Sequence, residues 1–133
     1  MATPPVDAVL AWHAALNASD ADRLLRLSTD DVEVGGPRGS GHGADLLRDW
    51  VARARVQMEP LRIFASGDVV VVEQSARWAS PDGQETDPQT VASVCRVQDG
   101  RVASVLRYPD LSSALQAAGL SVSDESASAP SPS

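Results

Sequence analysis

Residues Val32–Trp50 read VEVGGPRGSGHGADLLRDW, with five glycines, an arginine and a histidine between an alternating segment and a helical one. How this stretch is read decides the fold. A phosphate cradle opening a helix would imply a nucleotide-binding α/β protein, because backbone N–H groups and the helix dipole would converge there on an anion. A phosphate loop of that kind needs a lysine followed by serine or threonine, and here the last glycine is followed by Ala44 and Asp45, an acid that repels phosphate. The dinucleotide spacing G-x-G-x-x-G also fails, since Gly39, Gly41 and Gly43 follow G-x-G-x-G. The stretch is therefore a turn between a strand and a helix.

Upstream of it lie two helices. Pro4 and Pro5 are tolerated in a first helical turn, and Val6, Val9, Leu10, His13 and Leu16 repeat at helical spacing to an end near Asn17. Ser19, Asp20 and Asp22 mark a second start, and RLLRL carries a short helix to about Ser28. Asp-Val-Glu-Val-Gly-Gly then alternates as a strand. After the turn, Leu46, Leu47, Trp50, Val51 and Ala54 share one helical face, and Asp45, Arg48, Asp49 and Arg53 form a solvated charge ladder opposite.

Downstream the period changes to two. LRIFA, DVVVVEQSARWA, QTVASVCRV and RVASVLRY are rich in β-branched residues, and Asp99-Gly100 is the strongest hairpin signal. Helices followed by an antiparallel meander predict an α+β domain over residues 1–119, closed by a short helix at LSSALQAAG. Residues 120–133 are rich in serine and bear proline, without apolar periodicity, and are expected to form a disordered tail.

Composition narrows the function. At 133 residues the chain is one domain, and its net charge of -7 argues against nucleic acid and anionic membrane as partners. No run of about 18 apolar residues and no basic leader is present, so a soluble, cytoplasmic protein is expected. All eleven basic residues are arginine, which excludes lysine chemistry. The single cysteine, Cys95, permits neither an intrachain disulfide nor a cysteine zinc cluster. No metal and no cofactor is expected.

Three stretches in this order resemble the nuclear transport factor 2-like superfamily, in its SnoaL-like and ketosteroid isomerase-like branches. They are AALNASDADRLLRLSTDDVEV, the connection from the first strand through the glycine turn to GADLLRDW, and the terminal DGRVASVLRYPDL. The resemblance implies a cone-shaped α+β barrel, with N-terminal helices packed on a curved, mainly antiparallel sheet around an internal pocket. It also implies a homodimer through the outer face of the sheet. The run VVVV, apolar on both faces, agrees with that, because its outer residues need a cover.

Carried over position by position, the resemblance implies losses. Where an isomerase has its tyrosine donor this chain has Trp12; where it has its aspartate base, Val34; and where it has its protonated acid, Ser93. The inward positions matching a limonene epoxide hydrolase are Gln74, Ala76 and Arg107, without a carboxylate to activate water.

The expected pocket lining is Trp12, Val34, Trp50, Gln74, Trp78, Val91, Ser93 and Arg107, with Arg38, His42 and Tyr108 at the rim. Alternation turns Glu33 outward with Val32 and Val34 inward. On the long strand a one-residue slip would exchange Gln74 for Glu73 and put a carboxylate in the pocket. Arg107 has two readings, an ion pair with a carboxylate such as Asp110 or Glu73, or an anchor for an anionic ligand. His13 is either a hydrogen-bonded core histidine or a general base.

The candidate catalytic residues are thus His13, Ser93 and Arg107, and whether the chain is an enzyme stays open. The function expected is binding of a small, largely apolar molecule, anionic or neutral, with or without isomerase- or cyclase-type proton transfer. The alternative is a non-catalytic dimeric module with a closed or vestigial pocket.

Overall fold

The computed structural model describes residues 4–36, 39–54, 56–78 and 89–125. Helix α1 spans Pro5–Asn17, starting on proline and burying Ala8, Val9, Trp12, His13, Ala15 and Leu16 along one side. Its end turns sharply at Ser19, and Asp20 caps helix α2 (Ala21–Arg26) by accepting from the Arg23 N–H at 3.1 Å. Strands β1 (Ser28–Gly36) and β2 (Gly39–His42) come next, then helix α3 (Ala44–Ala54). Strands β3 (Val56–Ser66), β4 (Val69–Trp78), β5 (Gln89–Gln98) and β6 (Arg101–Tyr108) follow, and helix α4 (Leu111–Ala118) closes the fold.

The glycine-rich stretch is more regular than a turn. Gly36 pairs with Gly39 and Glu33 with His42, so β1 and β2 form an antiparallel hairpin. The residues between them, 37 and 38, lie outside the described ones. Gly43, at φ 106, makes the corner into α3 in a backbone region that side chains disfavour, and its N–H donates to the Val32 carbonyl at 2.9 Å. At the other hairpin read from sequence, Asp99 (φ 52) and Gly100 (φ 81) both take positive φ, as a two-residue turn between twisted strands requires.

The strands form one open sheet in the order β2-β1-β6-β5-β4-β3. Only the β1–β6 pair runs parallel; the other neighbours are antiparallel. The inner face of the sheet meets α1, α2 and α3 around a core that includes Trp12, Leu16, Leu24, Leu47 and Ile63, all at most 2% exposed. Each such aliphatic side chain contributes about 1.5–3 kcal/mol relative to exposure.

Helix α4 packs on the opposite face. Its Ala114 and Leu115, with Leu120 beyond it, cover Phe64, Val71, Ala92 and Val94. The cover that the outer valines require therefore comes from the chain itself, and the need for a second copy inferred from VVVV falls away.

The serine-rich segment also begins as ordered structure. Val122–Asp124 form a 3-10 turn, Glu125 bridges to Phe64 on the edge strand β3, and Arg62 donates twice to the Glu125 carboxylate, at 2.9 Å each. These bonds hold the Glu125 carboxyl below its ordinary range. Of the tail expected over 120–133, residues 120–125 are thus fastened to the sheet edge, whereas 126–133 lie outside the described residues.

Candidate functional site: a buried polar line across the inner face

The strand register settles which side chains face the helices. Gln74 pairs with Val91 on β5 and belongs to the inner face with Val70, Val72 and Ala76. Glu73 pairs with Ala92 and Arg62 on the outer face. The slip that would have put a carboxylate inside does not occur. Glu33 likewise faces away from the core, its carboxylate 3.8 Å from His42 Nε2.

Three polar side chains meet inside. The His13 ring, on the buried side of α1, has Nδ1 2.8 Å from the Val9 carbonyl oxygen and Nε2 2.7 Å from the Gln74 amide nitrogen. Ser93 on β5 donates its hydroxyl to Gln74 Oε1 at 3.0 Å. A carbonyl can only accept, so the neutral imidazole carries its proton on Nδ1, and Nε2 accepts from the Gln74 amide. Donors then run in one direction, Ser93 to Gln74 to His13 to Val9, and each acceptor is used.

His13 is 1% exposed, and Gln74 and Ser93 are 0% exposed. Burial dominates the histidine, lowering its pKa below the ordinary value, with the bond to Val9 opposing in part. A neutral histidine whose free lone pair is already engaged is a satisfied core group first. It is not an idle base.

Trp12, beside it at 6.0 Å between ring centroids, is committed too. Its indole N–H donates to Ser28 Oγ at 2.9 Å, and Ser28 donates in turn to the Leu24 carbonyl at 2.8 Å. The indole thus ties α1 to the end of α2, and this N–H does not point at a ligand as an isomerase's tyrosine would.

The remaining expected residues divide by face. Val34 packs against the inner core half-buried, Val91 is 8% exposed, and Arg107 is half-buried directly opposite Ser93 in the β5–β6 pairing. Tyr108, one residue on, falls on the outer face and packs with α4. It joins the cover and not the mouth of the cone. His42 is on β2 with its side chain 64% exposed, on the Glu33 side. Arg38 and the side chains of Trp50 and Trp78 lie outside the described residues. Cys95 is buried on the inner face, and burial pushes its thiol up to about 12.

Sequence reasoning missed Asn17, read only as the end of α1. Its side-chain amide donates to the Met58 carbonyl at 2.8 Å and accepts the Met58 N–H at 2.7 Å, joining α1 to the edge strand β3. An asparagine at a helix end has many local uses, and nothing in its neighbours signals a partner 41 positions away.

Among the described residues no carboxylate is buried, and no group of three histidine, cysteine or acidic side chains could hold a metal ion. None of the described helices is long and apolar enough to cross a membrane.

An inner sheet face roofed by three helices, with polar groups drawn into it, defines the α+β cone of the nuclear transport factor 2-like proteins. Its backbone is similar to an NTF2-like protein of unknown function from Cytophaga hutchinsonii, at TM-score 0.68 and 16% identity over 83% of this chain and 93% of that one. The sequence profile of the SnoaL-like domain matches residues 9–105, and the chain belongs to that family. Two further structures share the fold. One is a putative polyketide cyclase from Sinorhizobium meliloti, with TM-score 0.65 and 27% identity over 79% of this chain and 94% of that one. The other is an LEH-like epoxide hydrolase from M. tuberculosis, with TM-score 0.70 and 24% identity over 86% and 88%. No curated protein matches the chain.

Proposed function

We propose that this SnoaL-like domain binds a small, largely apolar, anionic molecule between the helical layer and the inner sheet face, beside Val34, Val91 and Arg107. The observation that carries the reading is Arg107. It is a permanent cation, half-buried on the inner face, directly opposite Ser93 and beside the apolar Val34 and Val91. Val34 and Val91 with Arg107 beside them match the composition of a small-molecule site, which is apolar with a few polar points. The likeness to a putative polyketide cyclase supports cyclase-type chemistry as one use of such a site. Cyclase- or isomerase-type proton transfer would draw on Arg107 to stabilise oxyanion charge. The base would have to be His13, released from Gln74.

The test is thermal denaturation with benzoate, salicylate and hexanoate. Each is expected to raise the midpoint of the wild type more than that of Arg107→Ala. A wild type that responds to none of them, or a variant that responds equally, would sink the reading.

A second reading, a non-catalytic module with a vestigial pocket, is favoured by the sealing of His13, Gln74 and Ser93. The expected homodimer would use the outer sheet that α4 leaves open, near Glu73, Ser75 and Thr90, and sedimentation equilibrium distinguishes it from a monomer. A cytoplasmic location belongs to the same reading, and fractionation of cells checks it.

A further inference from the structure

The three-residue polar line is built so that one proton can reverse it. In the neutral state every donor points from sheet to helix, and the amide of Gln74 stands between two groups that each see only one of its ends: the nitrogen faces His13 Nε2 at 2.7 Å, and the oxygen faces Ser93 Oγ at 3.0 Å. The two ends of a primary amide have nearly the same shape, so exchanging them needs rotation about one terminal bond and no new volume. A closely packed core tolerates that exchange where it would resist a change of size.

We propose that the His13, Gln74 and Ser93 side chains form a proton-driven hydrogen-bond switch that operates inside the intact fold. A proton from solvent binds His13 Nε2, while Nδ1–H keeps its bond to the Val9 carbonyl. The Gln74 amide turns over, so that Oε1 accepts from Nε2–H and the amide nitrogen donates to Ser93 Oγ. The hydroxyl hydrogen of Ser93, which formerly went to Gln74, turns onto the inner face. There Arg107 is the direct cross-strand neighbour of Ser93. Resting on the function proposed above, an anion held at Arg107 would receive that hydrogen, so acid would favour its binding. The switch itself does not need the ligand.

The surroundings set where it acts. Inner-face residues of β3 and β4 packed against α1 carry no titratable group among the described ones, β5 presents the Cys95 thiol, and β6 presents Arg107. On α2 the buried residue is Leu24, and Arg23 and Arg26 are exposed. Among the described residues no carboxylate is buried to favour an imidazolium, and burial disfavours it, so the switch works on the acid side of the ordinary histidine range.

The experiment is nitrogen-15 magnetic resonance on the full chain during a pH titration, following the two histidine rings and the side-chain NH2 of Gln74; the His13→Gln variant assigns the rings. At neutral pH the His13 ring is expected as the Nδ1–H tautomer. On acidification the Gln74 NH2 signals are expected to move with the same midpoint as the His13 ring, while the backbone signals stay dispersed. Titration of His13 with an unmoved Gln74, or loss of the fold in the same step, overturns the proposal.

Gln74→Glu places an acceptor against the ring and is expected to raise the proton affinity of His13 about tenfold or more. Gln74→Met, with no acceptor, is expected to lower it and covers the case where the acidic variant does not fold. An unchanged midpoint in a folded variant refutes the switch.

Discussion

Replacing Gln74 with leucine removes the one group that joins His13 to Ser93, and its cost can be worked from the bonds it makes. The leucine leaves His13 Nε2 without a donor and the Ser93 hydroxyl without an acceptor, both in side chains at most 1% exposed. An orphaned buried polar group costs about 1–3 kcal/mol, so the pair costs about 2–6 kcal/mol. Burying a leucine in place of an amide offsets about 1.5–3 kcal/mol. The net loss is of order 2 kcal/mol, a sizeable part of the roughly 5–15 kcal/mol that holds a domain together.

The sharper number is a difference. In the wild type, Ser93→Ala strands Gln74 Oε1 at about 1–3 kcal/mol, but in the leucine background it removes a hydroxyl already stranded and recovers about 1–3 kcal/mol. The two substitutions should therefore couple by about 2–6 kcal/mol, with the double variant more stable than additivity allows. Urea unfolding of the four proteins at about pH 8, above the histidine range, measures this. If the effects add within about 0.5 kcal/mol, the hydrogen-bonded line does not exist as described.

Other consequences are simpler to check. His13 has a pKa depressed by burial, so below about pH 6.5 the unfolded chain binds more protons than the folded one, and stability falls with pH until His13 itself titrates. Denaturation across that range should show a slope that His13→Gln abolishes; the carboxyls of Asp110 and Glu125, held below their ordinary range by hydrogen bonds from Ser113 and Arg62, act only on the acid side of that range. The Cys95 thiol, buried and held protonated, should react with a thiol reagent at the rate of unfolding, and immediate labelling of the native protein would contradict its placement. Trp12→Phe keeps the ring packing but drops the bond to Ser28, and should cost about 1 kcal/mol in the same urea assay. A loss above about 3 kcal/mol would mean that the indole shape matters more than its N–H.

Much of the fold is carried by local pattern. The helical spacing ending at Asn17, the two-residue period through β4, β5 and β6, and the Asp99-Gly100 turn are properties of neighbouring residues, and the elements lie where those patterns place them. The face of Gln74 is different, because VVVV is apolar at both parities: alternation says which residues share a face, and only the packing of β4 against the helices decides that Gln74 is inside and Glu73 outside. The lack of a carboxylate at Val34 and Ser93 was legible, since it depends on residue identity and the order of elements alone.

The tertiary structure decided what local pattern cannot carry. His13 and Gln74 are 61 positions apart and Asn17 and Met58 are 41 apart, and each pair meets only because α1 lies across the sheet at one particular height. The four valines called for a cover without saying whose, and α4 supplied it from 40 residues further along the same chain. The glycines of β2 read as a turn because glycine has little strand preference, yet pairing with β1 across the hairpin made them a strand. Periodicity records which way a side chain points, whereas its partner depends on register and packing between distant segments, and those are settled only when the whole core closes.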